Sequence, residues 1–161
     1  MSQELLTGKA ALVTGGGTGI GKACAKQLAA DGAAVTITGR TEASLQAACE
    51  EINAAADHGG SIHYVTGDVT KEEDVQAMIA KACEPTGGLN ACVANAGGGG
   101  MPMAYGDVDT EEFKRVLDLN VMGTMLCMKH SIGKMLEAGG GSFVGMSSLA
   151  GHVTHPYFHA Y

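Results

Sequence analysis

Thr14-Gly15-Gly16-Gly17-Thr18-Gly19-Ile20-Gly21 stands between the apolar run Ala10-Ala11-Leu12-Val13 and a segment of helical character, residues 22–30. The order is strand, glycine turn, helix start. A glycine at 15 permits the positive φ of a tight turn, one at 19 lets an anion approach the backbone, and one at 21 lets the new helix pack on the strand. Unpaired N–H groups and the dipole at such a helix start favour negative charge, which makes the turn a candidate pyrophosphate site. The spacing is Gly-x-x-x-Gly-x-Gly, not the commoner Gly-x-Gly-x-x-Gly. In a chain of 25 glycines a plain glycine-rich connection has the same letters, and the flanking strand and helix are what favour the nucleotide reading.

Outward from the turn, short apolar runs alternate with amphipathic stretches, the pattern of strand–helix–strand units around a parallel sheet. The pattern predicts a second strand at 35–38 and then a helix with Leu45, Ala48, Cys49 and Ile52 on one face. A third strand follows at 61–65, and Thr70 with Glu73 has capping-box spacing ahead of the stripe Val75, Met78, Ile79, Ala82 and Cys83. Pro85, Gly87 and Gly88 end that helix. A fourth strand at 89–94, a long helix capped by Asp109 with Glu112 and running to about 137, and a fifth strand at 142–146 complete an α/β pattern. Residues 1–161 read as a single domain without repeats or linkers.

Composition narrows the function. The chain has 161 residues, 45% of them hydrophobic, and should bury about 70% of its unfolded surface. Seventeen acidic against ten basic residues give −7, which disfavours a nucleic-acid or anionic-membrane partner and favours a small molecule. Residues 1–6 lack the basic and apolar regions of a secretion signal, and no apolar stretch approaches the ~20 residues of a membrane span, so a cytoplasmic location is expected. Cys24, Cys49, Cys83, Cys92 and Cys127 form no Cys-x-x-Cys pair and are expected as reduced core residues without a metal.

Within the long helix, Phe113, Val116, Leu117, Thr124 and Met128 share a face, and helical arithmetic puts Asn120 on it. A buried amide there needs several partners and serves either a structural network or function. Met122, Met125, Met128 and Met135 follow helical spacing and are expected in core or subunit packing.

These residues together resemble the N-terminal two-thirds of a short-chain dehydrogenase/reductase. The resemblance rests on Thr14-Gly-x-x-x-Gly-Ile-Gly21, Asp68-Val69 after the third strand, Asn95-Ala96-Gly97 after the fourth, Asn120 in the long helix and Ser147-Ser148 after the fifth strand. It implies a Rossmann-type, doubly wound parallel sheet with helices on both faces, its last strands falling beyond Tyr161, and a coenzyme across the strands' carboxyl ends. It assigns the coenzyme to Thr14, Gly15, Gly17, Thr18, Gly19, Ile20 and Gly21. Asp68 and Val69 would hold the adenine, and Asn95, Ala96 and Gly97 would lie beside the adenine-side ribose while stabilising the sheet.

Twelve residues separate Ser148 from Tyr161, the family's spacing between its serine and its tyrosine acid/base, which selects Tyr161 over Tyr157. By the resemblance Ser148 would hydrogen-bond the substrate oxygen, Tyr161 would pass the proton, and the Asn120 backbone carbonyl would anchor a relay water. A tyrosine hydroxyl titrates near pH ~10 and needs nearby positive charge, which the family supplies partly from a lysine four residues further on; that position falls beyond Tyr161. At the end of the second strand stands Gly39-Arg40-Thr41, where an acid would select a ribose 2′-hydroxyl. Arg40, with Thr41, favours NADP over NAD through paired bonds to a phosphate; a merely solvated arginine is the other reading.

The expected function is interconversion of a carbonyl and a secondary alcohol with NADP(H), in a protein that forms a homodimer or homotetramer when intact. A non-catalytic dinucleotide-binding scaffold or sensor would keep the glycine turn, Arg40 and Asp68 without needing Ser148 and Tyr161 at this spacing. A polypeptide stopping at Tyr161 is expected to be inactive. His152, His155 and His159 are read as lining or surface residues, since no helical His-Glu-x-x-His pattern holds them. The run 97–100 serves either as a lid hinge or as a loop needed for close coenzyme approach.

Overall fold

The apolar run before the glycine turn becomes the central strand of a five-stranded parallel sheet. In the computed structural model, which describes residues 5–54, 59–153 and 156–161, the strands are β1 (Ala10–Thr14), β2 (Ala34–Gly39), β3 (Ser61–Thr66), β4 (Ala91–Ala94) and β5 (Ser142–Gly145). Their order is β3-β2-β1-β4-β5. On one side β1 pairs from Ala10 opposite Ala34 to Thr14 opposite Thr38, and on the other from Ala11 opposite Ala91 to Val13 opposite Val93. Between β1 and β4 the winding reverses, so a crevice opens at their carboxyl ends.

Helices α1 (Gly19–Ala30) and α2 (Glu42–Ala54) cover one face, and α3 (Glu72–Cys83) and α5 (Gly123–Glu137) cover the other. The period-two alternation of β1 sorts its side chains between two cores. Ala11 and Val13 join Ala25, Ala29, Leu45 and Ile52, whereas Leu12 joins Val75, Met78, Leu126 and Cys127. Because α1 buries only Gly21, Ala25 and Ala29, it can lie close on the sheet. β5 pairs with β4 alone among the described residues, and Val144 on it is 47% exposed. No helix of the described residues is long and apolar enough to cross a membrane.

The capping box expected at Thr70 and Glu73 does not form. Thr70 gives both its N–H and its hydroxyl to Asp68 Oδ1, at 3.0 and 2.9 Å, and α3 begins after Lys71 with no side-chain cap. The local turn of Asp68 outcompetes the cap for the threonine. Asp109 does cap α4 (Thr110–Leu117), accepting from Glu111 N at 3.0 Å, while Glu112 turns instead to Arg115 and to Met101 N.

The long helix is not uniform. Asp118–Met122 forms a π-helical turn between α4 and α5, in which Gly123 N–H donates to Asp118 O. One inserted residue advances the helix phase by roughly 100°, so a stripe projected through it from α4 loses register with the sheet. Val116 stays buried, but beyond the turn the buried residues are Gly123, Leu126, Cys127, Ser131 and Met135. Leu117 and Met128, expected on the inner face, are 39% and 42% exposed, and of the four spaced methionines only Met135 enters the core.

Candidate active site

Three side-chain bonds hold β1 and β4 together where they part. Thr14 Oγ1 accepts from Asn95 N at 3.0 Å and Ala96 N at 2.9 Å, and Asn95 Nδ2 donates to Thr14 O at 3.0 Å. Thr14 is 1% exposed, so it braces the turn from beneath. Gly21 does the same: a Cβ there would overlap the Gly15 carbonyl and Asn95 Nδ2, which is why α1 can start directly against the strand end. Gly16 had no role in the sequence reading, yet a Cβ on it would stand 2.6 Å from Ile37 Cβ on β2.

Above this brace lies a cleft of about 200 Å³ whose walls include Gly15, Gly17, Thr18, Arg40, Thr41, Asp68, Val69, Ala96 and Gly97. Ser44 on α2 and Leu119 in the π-helical turn also face it, and sequence spacing gave no signal for either. Thr18 precedes α1 without making a side-chain capping bond, and Gly19, at φ +50°, has open space where a Cβ would be. An uncapped helix start beneath an open backbone suits the diphosphate of a dinucleotide. On the far side, burial raises the Asp68 carboxyl, but the two bonds from Thr70 and the charges of Arg40 and Lys71 outweigh it and hold the group below the usual carboxylate range. Asp68 therefore presents a fixed anion to the cleft, its own N–H held by Asp74 Oδ2 at 2.8 Å.

A second cleft, of about 570 Å³, continues from the first through Ala96 and Gly97, which line both. Ile20, Asn95, Asn120, Thr124, Ser148 and Tyr161 face it. Ser148 leaves β5 in extended conformation and its Oγ accepts from Ala150 N at 3.2 Å, opening the short turn Leu149–Gly151. With that lone pair engaged, its hydroxyl proton remains to be donated. Tyr161 shares the cleft with Ser148, whereas Tyr157 lies outside it, 58% exposed.

Asn120 is half-buried and fully engaged rather than enclosed in the core as its helical position implied. Its Oδ1 accepts from Gly98 N at 3.0 Å, while Nδ2 donates to Gly98 O at 2.9 Å and Val116 O at 2.8 Å. Its backbone carbonyl accepts from Thr124 Oγ1 at 2.9 Å, a four-residue back-bond whose spacing was visible in the sequence. Among the described residues no three His, Cys, Asp or Glu side chains form a metal-binding group. His159 is bonded to the Met103 carbonyl, and His155 falls outside the described residues.

A doubly wound sheet with a braced glycine turn at its switch point, opening into a cleft that gathers a serine, a tyrosine and an asparagine, defines a Rossmann-type α/β protein. Residues 9–161 match the family model described as short chain dehydrogenase, and the chain belongs to that family. It is 40% identical over 154 residues to the 2,5-dichloro-2,5-cyclohexadiene-1,4-diol dehydrogenase of Sphingobium indicum, covering 94% of this chain and 58% of that protein. A short-chain type dehydrogenase/reductase from Mycobacterium ulcerans superposes with a TM-score of 0.93 at 42% identity, over 97% of this chain and 57% of the other. An NAD+-bound xylitol dehydrogenase gives 0.90 at 30% identity, over 97% and 59%. The chain thus spans less than two-thirds of the length of these relatives.

Proposed function

We propose that the complete protein is an NADP(H)-preferring oxidoreductase that interconverts a secondary alcohol and its carbonyl, with Ser148 and Tyr161 at the reacting oxygen. The observation that carries this reading is the single cleft shared by Asn120, Ser148 and Tyr161 and continuous with the glycine turn. The N–H groups at the start of α1, with Thr18 and Gly19, would hold the diphosphate, and Asp68, Val69 and Ala96 the adenosine end. Arg40, exposed on the cleft wall beside Thr41, would meet a ribose phosphate. A bound nicotinamide coenzyme supplies or accepts the hydride.

Ser148 donates its hydroxyl proton to the substrate oxygen and so sets its position; Tyr161 exchanges the proton that leaves or joins that oxygen. The Asn120 carbonyl, which accepts from Thr124 Oγ1, would also hold a water in the proton path. The relatives named for a cyclohexadienediol and for xylitol support a secondary alcohol as substrate class. Turnover of 1,4-cyclohexanediol and xylitol, followed by coenzyme absorbance, tests the reading. Tyr161→Phe and Ser148→Ala should each lower kcat by about 10²-fold or more with coenzyme affinity retained. Turnover undiminished in Tyr161→Phe would overturn it.

The same reading includes a cytoplasmic homodimer or homotetramer in which residues 1–161 belong to a single domain. Leu117, Val121, Met125, Ile132 and Leu136 form an exposed apolar stripe along α4 and α5, with Val121 57% and Leu136 72% accessible. Such a stripe supports a symmetric helix pairing with a second copy.

A further inference from the structure

The segment that ends in Tyr161 is fastened to the loop after β4 by a clasp in which His159 replaces a strand partner. Met103 N–H donates to Tyr157 O at 3.1 Å, and the Met103 carbonyl accepts from His159 Nε2 at 3.0 Å. The imidazole thus completes, from a side chain, the reciprocal pair that two extended backbones make. Its ring meets the edge of Tyr105 with centroids 5.0 Å apart and planes at 88°. Both the neutral Nε2–H tautomer and the imidazolium donate to the carbonyl, so the bond survives either protonation state.

Three further features mark this junction as constrained. Tyr157 has φ +70°, the one non-glycine residue with positive φ among those described, and such a conformation persists only where its surroundings enforce it. Phe158 packs on Gly99, where a Cβ would come within 2.9 Å of its ring and 3.8 Å of Tyr161 Cγ. The loop is also gripped at its other end, by Asn120 on Gly98 and by Glu112 Oε1 on Met101 N at 3.3 Å.

We propose that His159 is a positioning residue, holding the loop that carries Met101, Met103 and Tyr105 and the segment that carries Tyr161 as one unit, so that the proton-transferring hydroxyl is set against a fixed loop. The proposal rests on the reading of Tyr161 given above. Misplacement of a reacting group by about 1 Å can cost 10²-fold in rate, and loosening one exposed clasp should cost part of that.

The test compares His159→Phe, which keeps a ring against Tyr105 but cannot donate, with His159→Gln, which restores a donor near the Nε2 position, both in the complete protein. In His159→Phe, hydrogen exchange across residues 99–107 should quicken about tenfold while β1 and β4 exchange as in the parent. With 1,4-cyclohexanediol, kcat should fall about tenfold while KM and coenzyme affinity hold within twofold. His159→Gln should return both readouts to within twofold of the parent. Unchanged exchange at 99–107 in His159→Phe would overturn the clasp whatever the turnover; faster exchange with unchanged kcat would overturn its positioning role. If Tyr161→Phe retains turnover or the parent fails to oxidise the diol, the acid/base assignment fails separately, and the exchange result still decides the clasp.

Discussion

Asn120 pairs with Gly98 as one strand residue pairs with another, its amide both accepting from Gly98 N and donating to Gly98 O. A third bond from the same amide satisfies Val116 O at the edge of the π-helical turn. One side chain therefore joins an irregular helix to the loop that roofs the clefts. Gly97 is small for the same reason, since a Cβ there would lie 2.6 Å from Asn120 Oδ1.

Asn120→Ala should leave three half-buried backbone groups without their partner and destabilise the protein by about 1–3 kcal/mol. Urea unfolding of parent and variant measures this. Asn120→Asp can still accept from Gly98 N but faces Gly98 O and Val116 O with acceptors, so it should be no better than alanine. A stability within error of the parent for both variants would remove Asn120 from the framework role.

Arg40 and Asp68 both line the first cleft and act on each other through charge. Replacing the cation by an anion should reverse the proposed coenzyme preference: Arg40→Asp is expected to weaken NADPH binding by about tenfold or more and to spare or improve NADH. Fluorescence titration of both coenzymes decides it. Equal affinities in the parent, unmoved by the substitution, would leave Arg40 a solvated arginine.

The parts of the fold set by local chemistry could be read from the letters, and the parts set by competition could not. The apolar run of β1 and the 3.6-residue stripes of α2 and α3 reflect burial against one sheet, so these elements fell where expected. The glycine turn was legible because Gly15 carries a positive φ and Gly21 fills a place where no side chain fits. The π-helical turn was not legible: an α-periodic pattern has no separate symbol for one inserted residue, and Met128 beyond it moved outward. Thr70 likewise had two partners open to it by spacing alone, and only the position of Asp68 decided between them. Ser148, Tyr161 and Asn120, singled out by the family resemblance, line one cleft, but the places of Gly98, Ser44 and Leu119 depend on elements that meet only in three dimensions.

The apolar stripe on α4 and α5 yields a prediction about assembly. Val121→Glu combined with Ile132→Glu puts two charges on surface that is 57% and 44% exposed in the single chain, so neither should disturb the core. If a second copy covers the stripe, the like charges meet across the symmetric interface and should convert a dimer or tetramer to smaller species. Light scattering at matched concentration reads the mass. A parent that is monomeric at high concentration, or a variant of unchanged mass, would contradict the pairing.

The cysteines give a prediction whose sign follows from burial. Desolvation pushes the Cys49 and Cys127 thiols from an ordinary 9.0 up to about 11 and Cys92 up to about 12. Below pH 9 these groups are neutral whether the chain is folded or unfolded and contribute no pH dependence. Above it the unfolded chain ionises while the folded one does not, so stability should fall progressively as pH rises from 9 through 11–12. At pH 8 the thiolate fraction of all three is on the order of 10⁻³ or less in the folded state, and thiolate is the reactive form. Alkylation of the native protein at that pH should therefore reach the half-buried Cys24 before the buried Cys49, Cys92 and Cys127, which should react only after denaturation. Peptide mass mapping follows each site. Labelling of Cys92 or Cys127 in the native protein as fast as Cys24 would mean that the core between α5 and β4 opens far more readily than its packing implies.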